Sequence, residues 1–294
     1  MINIRPLMVG ITGGKGGTGK STIACSLALS LAKKFKVLLV DVDVECPDDH
    51  IILSIKREKI RDVTITIPSF DHSKCLMCGE CSRVCREHAI VHIHDHYPIF
   101  IEDRCNGCGT CILACPNKSI KTNKKVIGSL YKGSLNRRYP EELRGNFTLI
   151  SGEIKTNIAS STGVVDAAID AAINSHKPDF IIIDTAAGVH CNVIHALLDT
   201  HIAFAVTEPT PLGAHDLKLI IKLLKKLGID SHIILNRSGI GDNTTIYQIS
   251  EKSGIPIVAE IPYSETVLRS YSKGEPFKVP GINNVISVVE SVGC

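Results

Sequence analysis

Short apolar runs recur along the chain: Leu7–Thr12, Val37–Asp41, Phe147–Ser151, Phe180–Asp184, Ile202–Thr207 and His232–Asn236. Most are β-branched and are closed by Gly, Asp, Asn or Pro. That pattern predicts parallel strands buried on both faces. Helical patterns lie between them. Ser21–Lys34 opens a four-residue spacing of Ile23, Leu27, Leu31 and Phe35, and Asp166–Asn174 and Leu212–Leu227 predict two more helices. Gly228 supplies the stop for the last of these. Alternating strands and helices predict an α/β fold with a doubly wound, mostly parallel sheet. Ligands in such a sheet sit at the carboxyl ends of its strands.

From about Asp62 to Lys125 this rhythm stops, and an internal duplication replaces it. Ile67–Cys75 parallels Tyr97–Cys105, and Ala89-Ile90 parallels Ser119-Ile120. The pattern predicts an inserted module at 62–125, dividing a nucleotide-binding domain into 1–61 and 126–294. Residues 126–146, with Lys132, Arg137 and Arg138, read as the return linker.

The insert carries Cys75-x2-Cys78-x2-Cys81-x3-Cys85 and Cys105-x2-Cys108-x2-Cys111-x3-Cys115, the second run 30 residues after the first. Thiolates suit zinc and iron–sulfur centres alike. Zinc sites, however, favour two separated C-x2-C pairs per ion. The doubled run is the pattern of a bacterial-type ferredoxin with two [4Fe–4S] clusters, in which the fourth cysteine serves the other cluster. One set would be Cys75, Cys78, Cys81 and Cys115, and the other Cys85, Cys105, Cys108 and Cys111. Pro116 follows Cys115, whereas Arg86 follows Cys85. A guanidinium there would raise the second cluster's potential by favouring the more negative reduced state.

Gly14-Lys15-Gly16-Gly17-Thr18-Gly19-Lys20-Ser21-Thr22 follows the first predicted strand and opens a helix. That is the context of a phosphate-binding P-loop, whose backbone N–H groups and helix N-terminus form an anion nest. Lys20 would reach the β- and γ-phosphates of ATP, and Ser21 would ligate Mg²⁺.

With Lys15 inside the loop, the motif resembles the deviant Walker A of the MinD/ParA class of P-loop ATPases, which includes the nitrogenase iron protein. The resemblance implies that Lys15 reaches across a dimer into the partner's nucleotide, stabilising charge as an arginine finger does elsewhere. It implies that Asp43, in Val37–Asp43, belongs to the first switch and orients the attacking water, with Mg²⁺ nearby. It implies that Asp184, before Thr185-Ala186-Ala187-Gly188, is the Walker B carboxylate that holds Mg²⁺ through water. Asn236 matches the class's adenine-contacting asparagine, and Pro262 a stretch that lines the base pocket. The stretch Val206–Lys218 resembles MinD-like ATPases with an inserted ferredoxin domain. ATP or ADP, Mg²⁺ and two [4Fe–4S] clusters are thus the implied cofactors.

Composition changes this picture little. The apolar fraction of 44% and charged fraction of 21% suit a compact chain. Two clusters of about −2 each would take the formal +3 to roughly −1, which argues against nucleic acid or acidic membranes. No apolar run approaches the ~20 residues needed to span a bilayer. Twelve cysteines could suggest a disulfide scaffold, but their C-x2-C spacing argues for metal, and with no signal-peptide pattern in Met1–Pro6 the expected compartment is the cytoplasm. Among the remaining cysteines, Cys25 reads as core and Cys294 has no lipidation box before it. Cys191 stands at the offset of a cluster ligand in the nitrogenase iron protein. The chain has no second cysteine between Cys115 and Cys191, so a subunit-bridging cluster is not expected.

The function expected is an ATPase whose nucleotide-driven dimer and switch changes govern electron transfer through the two clusters. Its expected partners are a second copy or a paralogous ATPase, together with a redox protein. One rival is a cluster carrier like the Mrp-type relatives, but their C-terminal C-x-x-C is missing. The other is a MinD/ParA-like regulatory switch that senses redox state. The segment Ile282–Cys294 has Glu290 as its one charged residue, so stable membrane association is not expected.

Overall fold

A computed structural model describes residues 6–158, 160–175 and 177–293. Met1–Arg5 and Cys294, on which two of the expectations fall, lie outside the described residues.

The strands are β1 (Leu7–Thr12), β2 (Val37–Asp41), β3 (Arg57–Phe70), β4 (Ile90–Val91), β5 (Ile99–Phe100), β6 (Ile120–Gly133), β7 (Phe147–Ile154), β8 (Phe180–Asp184), β9 (Ile202–Thr207), β10 (Asp230–Ser238) and β11 (Ile257–Pro262). The helices are α1 (Lys20–Leu31), α2 (Asp49–Ile52), α3 (Glu80–Arg83), α4 (Thr110–Ala114), α5 (Glu141–Asn146), α6 (Thr162–Ile173), α7 (Cys191–Leu197), α8 (Pro211–Leu227), α9 (Thr244–Ser253), α10 (Glu265–Lys273) and α11 (Ile282–Gly293).

Nine strands form one sheet in the order β11-β10-β9-β1-β8-β2-β7-β6-β3. The seven from β11 to β7 are parallel. β6 and β3 join antiparallel at one end. Buried clusters cover both faces. One unites α1 and α11 with the sheet, a second packs α6 beneath β2 and β8, and a third packs α7, α8 and α9 beneath β9 and β10. The doubly wound expectation holds because the β1, β2 and β8 runs are apolar on both faces and each face is covered. Among the described residues, no helix is long and apolar enough to cross a membrane.

The structure corrects the reading of the insert's flanks. Residues 126–146 are not a linker: β6 continues to Gly133, α5 occupies Glu141–Asn146, and only the stretch between them connects. Gly128, Ser129 and Gly133 mimic a loop in sequence. Ile127 and Leu130 beside them are fully buried, and a Cβ at Gly128 would come within 2.6 Å of the Glu153 carbonyl. β3 is charged because it is the sheet edge, where exposed Lys and Arg discourage further pairing. The boundaries expected at 62 and 125 fall inside these two strands, which pair from Arg57–Gly133 to Phe70–Ile120 with register shifts between Lys59 and Arg61 and between Val63 and Thr64. The segment standing clear of the sheet is 71–119.

That segment keeps its duplication in three dimensions. Short turns at His72–Lys74 and Glu102–Arg104 precede the two runs, and α3 and α4 follow Gly79 and Gly109, whose φ angles are 74° and 73°. Its small core joins Ile90 and Ile120 to Phe70, Phe100 and the cysteines themselves.

Candidate functional site

β1, β8 and β2 end side by side. Ile11 and Asp41 both stand in register with Asp184, so the loop after β1 and two strand-ending carboxylates share one edge. Gly17 and Gly19 take φ of 79° and 93°, a left-handed conformation that glycine enters at no steric cost. Gly14 lies so close to α8 that a Cβ would meet the Asp216 carbonyl at 2.6 Å. Inside the loop, Thr18 Oγ1 and Lys20 Nζ each donate to the Lys15 carbonyl at 3.3 Å. Asn236 Nδ2, at the end of β10, donates to the Thr18 carbonyl at 2.7 Å. The asparagine expected to contact adenine here braces the P-loop.

A cleft of about 280 Å³ opens beside the loop. Of the predicted residues, Gly17, Gly19, Lys20, Ser21, Thr22, Asn236 and Pro262 line it. Gly14, Lys15, Gly16, Thr18, Asp43 and Asp184 lie outside its wall. Arg237, Tyr263 and Tyr271 line it too. A lining that combines cations, P-loop residues and aromatic rings suits a phosphate-bearing nucleotide.

Below the loop is a carboxylate nest. Asp41 Oδ1 and Oδ2 accept from the Asp43 and Asp49 backbone N–H groups, each at 3.2 Å, so Asp41 ties down the segment after β2. Asp41, Asp48 and Asp49 offer oxygens within 4.8 Å of one another. Burial pushes the Asp184 carboxyl up to about 7, against the pull of Ser21 and Lys20. Burial, reinforced by the Asp184 charge, pushes Asp41 and Asp49 well up. Burial also raises Asp43 and Asp48, partly offset by Lys20 and, for Asp48, by Ser21. Both Asp184 carboxylate oxygens and Asp48 Oδ1 are buried without a hydrogen-bond partner. Orphaned carboxylate oxygens beside a serine hydroxyl form a hard-oxygen set that fits Mg²⁺.

Lys15 turns aside. Its Nζ lies 2.7 Å from Oε1 of buried Glu208, whose Oε2 is 3.0 Å from Arg237 Nη1. Burial raises Glu208, but the Lys15 hydrogen bond and charge, with Arg237, hold its carboxyl below the usual range. Sequence reasoning missed Glu208, Arg237, Asp48 and Asp49. The available signals were a carboxylate directly after an apolar strand and the Asp48-Asp49 pair opening α2.

The eight cysteines of the two runs gather as crossed groups. Cys75, Cys78, Cys81 and Cys115 line one cavity with Leu76 and Met77. Burial pushes the Cys111 thiol up to about 11, with Cys105, Cys108 and Cys85 adding. Cys85 therefore stands with the second run. The Ala89 and Ser119 backbone N–H groups donate to Cys85 and Cys115 sulfurs at 3.3 Å, and Thr110 Oγ1 donates to Cys108 Sγ at 3.4 Å. Two groups of four thiols with donors aimed at sulfur fit thiolate-ligated clusters. Cys25 is buried, its thiol donating to Asp49 Oδ1 at 3.2 Å. Cys191 is exposed at the start of α7.

Residues 9–277 match the CobQ/CobB/MinD/ParA nucleotide binding domain. An uncharacterized Methanocaldococcus jannaschii protein, MJ0579, is 36% identical over 286 residues, covering 96% of each chain. A second from that organism, MJ0578, is 29% identical over 256 residues, covering 87% of this chain and 86% of its own. Among solved structures, the septum site-determining protein MinD of Pyrococcus horikoshii, complexed with Mg-ADP, superposes with a TM-score of 0.57. It is 20% identical, and the match covers 98% of this chain and 96% of that one.

Proposed function

Because this chain belongs to the CobQ/CobB/MinD/ParA family of nucleotide-binding ATPases, we propose that it is an ATP-hydrolysing iron–sulfur protein in which nucleotide state governs electron transfer. The observation that carries this reading is the gathering of eight cysteines into two crossed groups of four. They sit at the end of a β3–β6 ladder that belongs to the nucleotide-binding sheet.

In this reading the P-loop amides and Lys20 hold the phosphates, and Ser21, Asp43 and Asp184 hold Mg²⁺. Asp43 orients the attacking water. Lys15 acts on the nucleotide of a partner subunit, and Asn236 and Pro262 bound the base. Cys75, Cys78, Cys81 and Cys115 hold one [4Fe–4S] cluster, and Cys85, Cys105, Cys108 and Cys111 the other. When bound, the clusters would supply one-electron redox chemistry. The Ala89 and Ser119 N–H groups and the Thr110 hydroxyl stabilise charge on their sulfurs. The segment that includes Asp43 and Asp48 leads through α2 into β3, so its movement on binding nucleotide would be passed to the ladder that bears the module. The partner is a second copy or a paralogue, in keeping with the two M. jannaschii chains, together with a redox protein. Neither nucleic acid nor a stable membrane contact is part of this reading, and its compartment is the cytoplasm.

The test is EPR of the anaerobically purified, dithionite-reduced full chain with and without MgATP. Two interacting [4Fe–4S] signals whose shape or reducibility changes with MgATP are expected. Absence of such signals from an iron-replete preparation would sink the iron–sulfur reading. Likeness to MinD favours a second reading, a regulatory switch that senses redox state through the same clusters. Two signals indifferent to MgATP would move the assignment there.

A further inference from the structure

One buried carboxylate serves two cations at the edge of the P-loop. Glu208, 4% exposed, follows β9. Its Oε1 takes Lys15 Nζ at 2.7 Å, and Thr210 Oγ1 donates to the same oxygen at 3.4 Å. Its Oε2 takes Arg237 Nη1 at 3.0 Å. The backbone beneath it is fixed. Thr210 caps α8 by accepting from Gly213 N–H at 3.0 Å, and Gly213 packs directly on the Glu208 carbonyl. Both cations reach solvent, Lys15 at 33% and Arg237 at 42% side-chain exposure, and chemistry separates them: Lys15 is a compact charge on a flexible stem and so is the member able to leave, whereas the planar guanidinium of Arg237 is preorganised to stay on the carboxylate.

We propose that Glu208 is a positioning residue that holds Lys15 within its own subunit until a partner copy loaded with a nucleoside triphosphate draws it away. This rests on the reading above, in which Lys15 acts in trans. The charge balance explains why two cations share one acid. Opening an isolated buried pair strands a buried charge, which is strongly unfavourable. Here Arg237 stays on Oε2 when Lys15 departs, so Glu208 remains compensated. The hold is therefore reversible, and its strength sets how much differential affinity the triphosphate state must supply. A nucleoside diphosphate, with no γ-phosphate to compete with Glu208, leaves Lys15 in place.

The test is sedimentation velocity of the anaerobically purified full chain titrated with MgAMPPNP, with MgADP affinity as the check on folding. Glu208→Gln should lower the AMPPNP concentration for half-maximal dimer by about tenfold, leaving MgADP affinity within about twofold. Glu208→Asp, the safeguard if the glutamine variant fails to fold, should shift it less in the same direction. In a Lys15→Ala background, which should not dimerise, the Glu208 substitution should not restore dimer formation. A Glu208→Gln midpoint equal to or above wild type, with Lys15→Ala unable to dimerise, would overturn the hold and leave the role of Lys15 intact. Wild-type protein that never dimerises with MgAMPPNP, or Lys15→Ala protein that dimerises normally, would overturn both.

Discussion

Asp41 and Asp184 face each other on neighbouring strands, both fully buried, and they cannot both carry charge comfortably without a cation. Burial lifts Asp184 to about 7, well above the ~4 of an unfolded carboxyl. The folded state therefore binds this proton more tightly than the unfolded chain does. Stability from this group is fully present below about pH 4 and is lost as the pH rises towards 7. Mg²⁺ binding has the opposite dependence, since it uses the ionised form. Thermal melts of the nucleotide-free protein at pH 5 and pH 8 should separate the two effects. Asp184→Asn should flatten the loss of stability between these pH values and raise stability at pH 8 by about 2 kcal/mol. The same variant should weaken Mg²⁺-dependent nucleotide binding by tenfold or more. A variant that loses stability with pH as steeply as wild type would show that Asp184 does not carry the titration.

At the scale of elements, β6 is where sequence and structure part. Leu130 is fully buried in the cluster beneath α6, with Val63 of β3 and Ile150 of β7. Leu130→Ala should cost about 3 kcal/mol, read as a fall in Tm of roughly 5 °C. A linker residue would cost almost nothing. The parallel strands were legible because each is a short run of apolar residues covered on both faces. The P-loop was legible because glycine, lysine and serine at fixed spacing serve one geometry. β3 and β6 were not, because an edge strand and its neighbour mix charge, glycine and serine with one buried row. The Lys15–Glu208–Arg237 contact was illegible for another reason. It joins residues 193 and 29 positions apart, and nothing local to any of the three announces the others. The Asp48-Asp49 pair was visible in the sequence, but its place under the P-loop depends on how the chain folds back after β2.

The whole molecule has two unequal parts joined by one ladder. The nucleotide-binding body has three large apolar clusters. Segment 71–119 contributes to one small cluster in which the cysteines themselves are members. So small an apolar core is poorly suited to hold a segment of that length together without covalent or metal cross-links, so on the iron–sulfur reading proposed above, cluster binding and folding of the segment should be a single event. The body should not depend on it. Phe70 and Ile120 are paired directly across the ladder, so a short Asn-Gly turn between them can replace 71–119 without moving either strand. The excised protein should keep MgADP affinity within about twofold and shift in Tm by only a few degrees, because every residue lining the cleft is retained. Iron should fall from about eight atoms per chain to none by colorimetric assay. Stripping iron from the full chain with a chelator should likewise expose segment 71–119 to protease while the body stays resistant. Should excision instead unfold the body, the ladder would be carrying stability from the module into the sheet, and the nucleotide and cysteine sites would be halves of one cooperative unit.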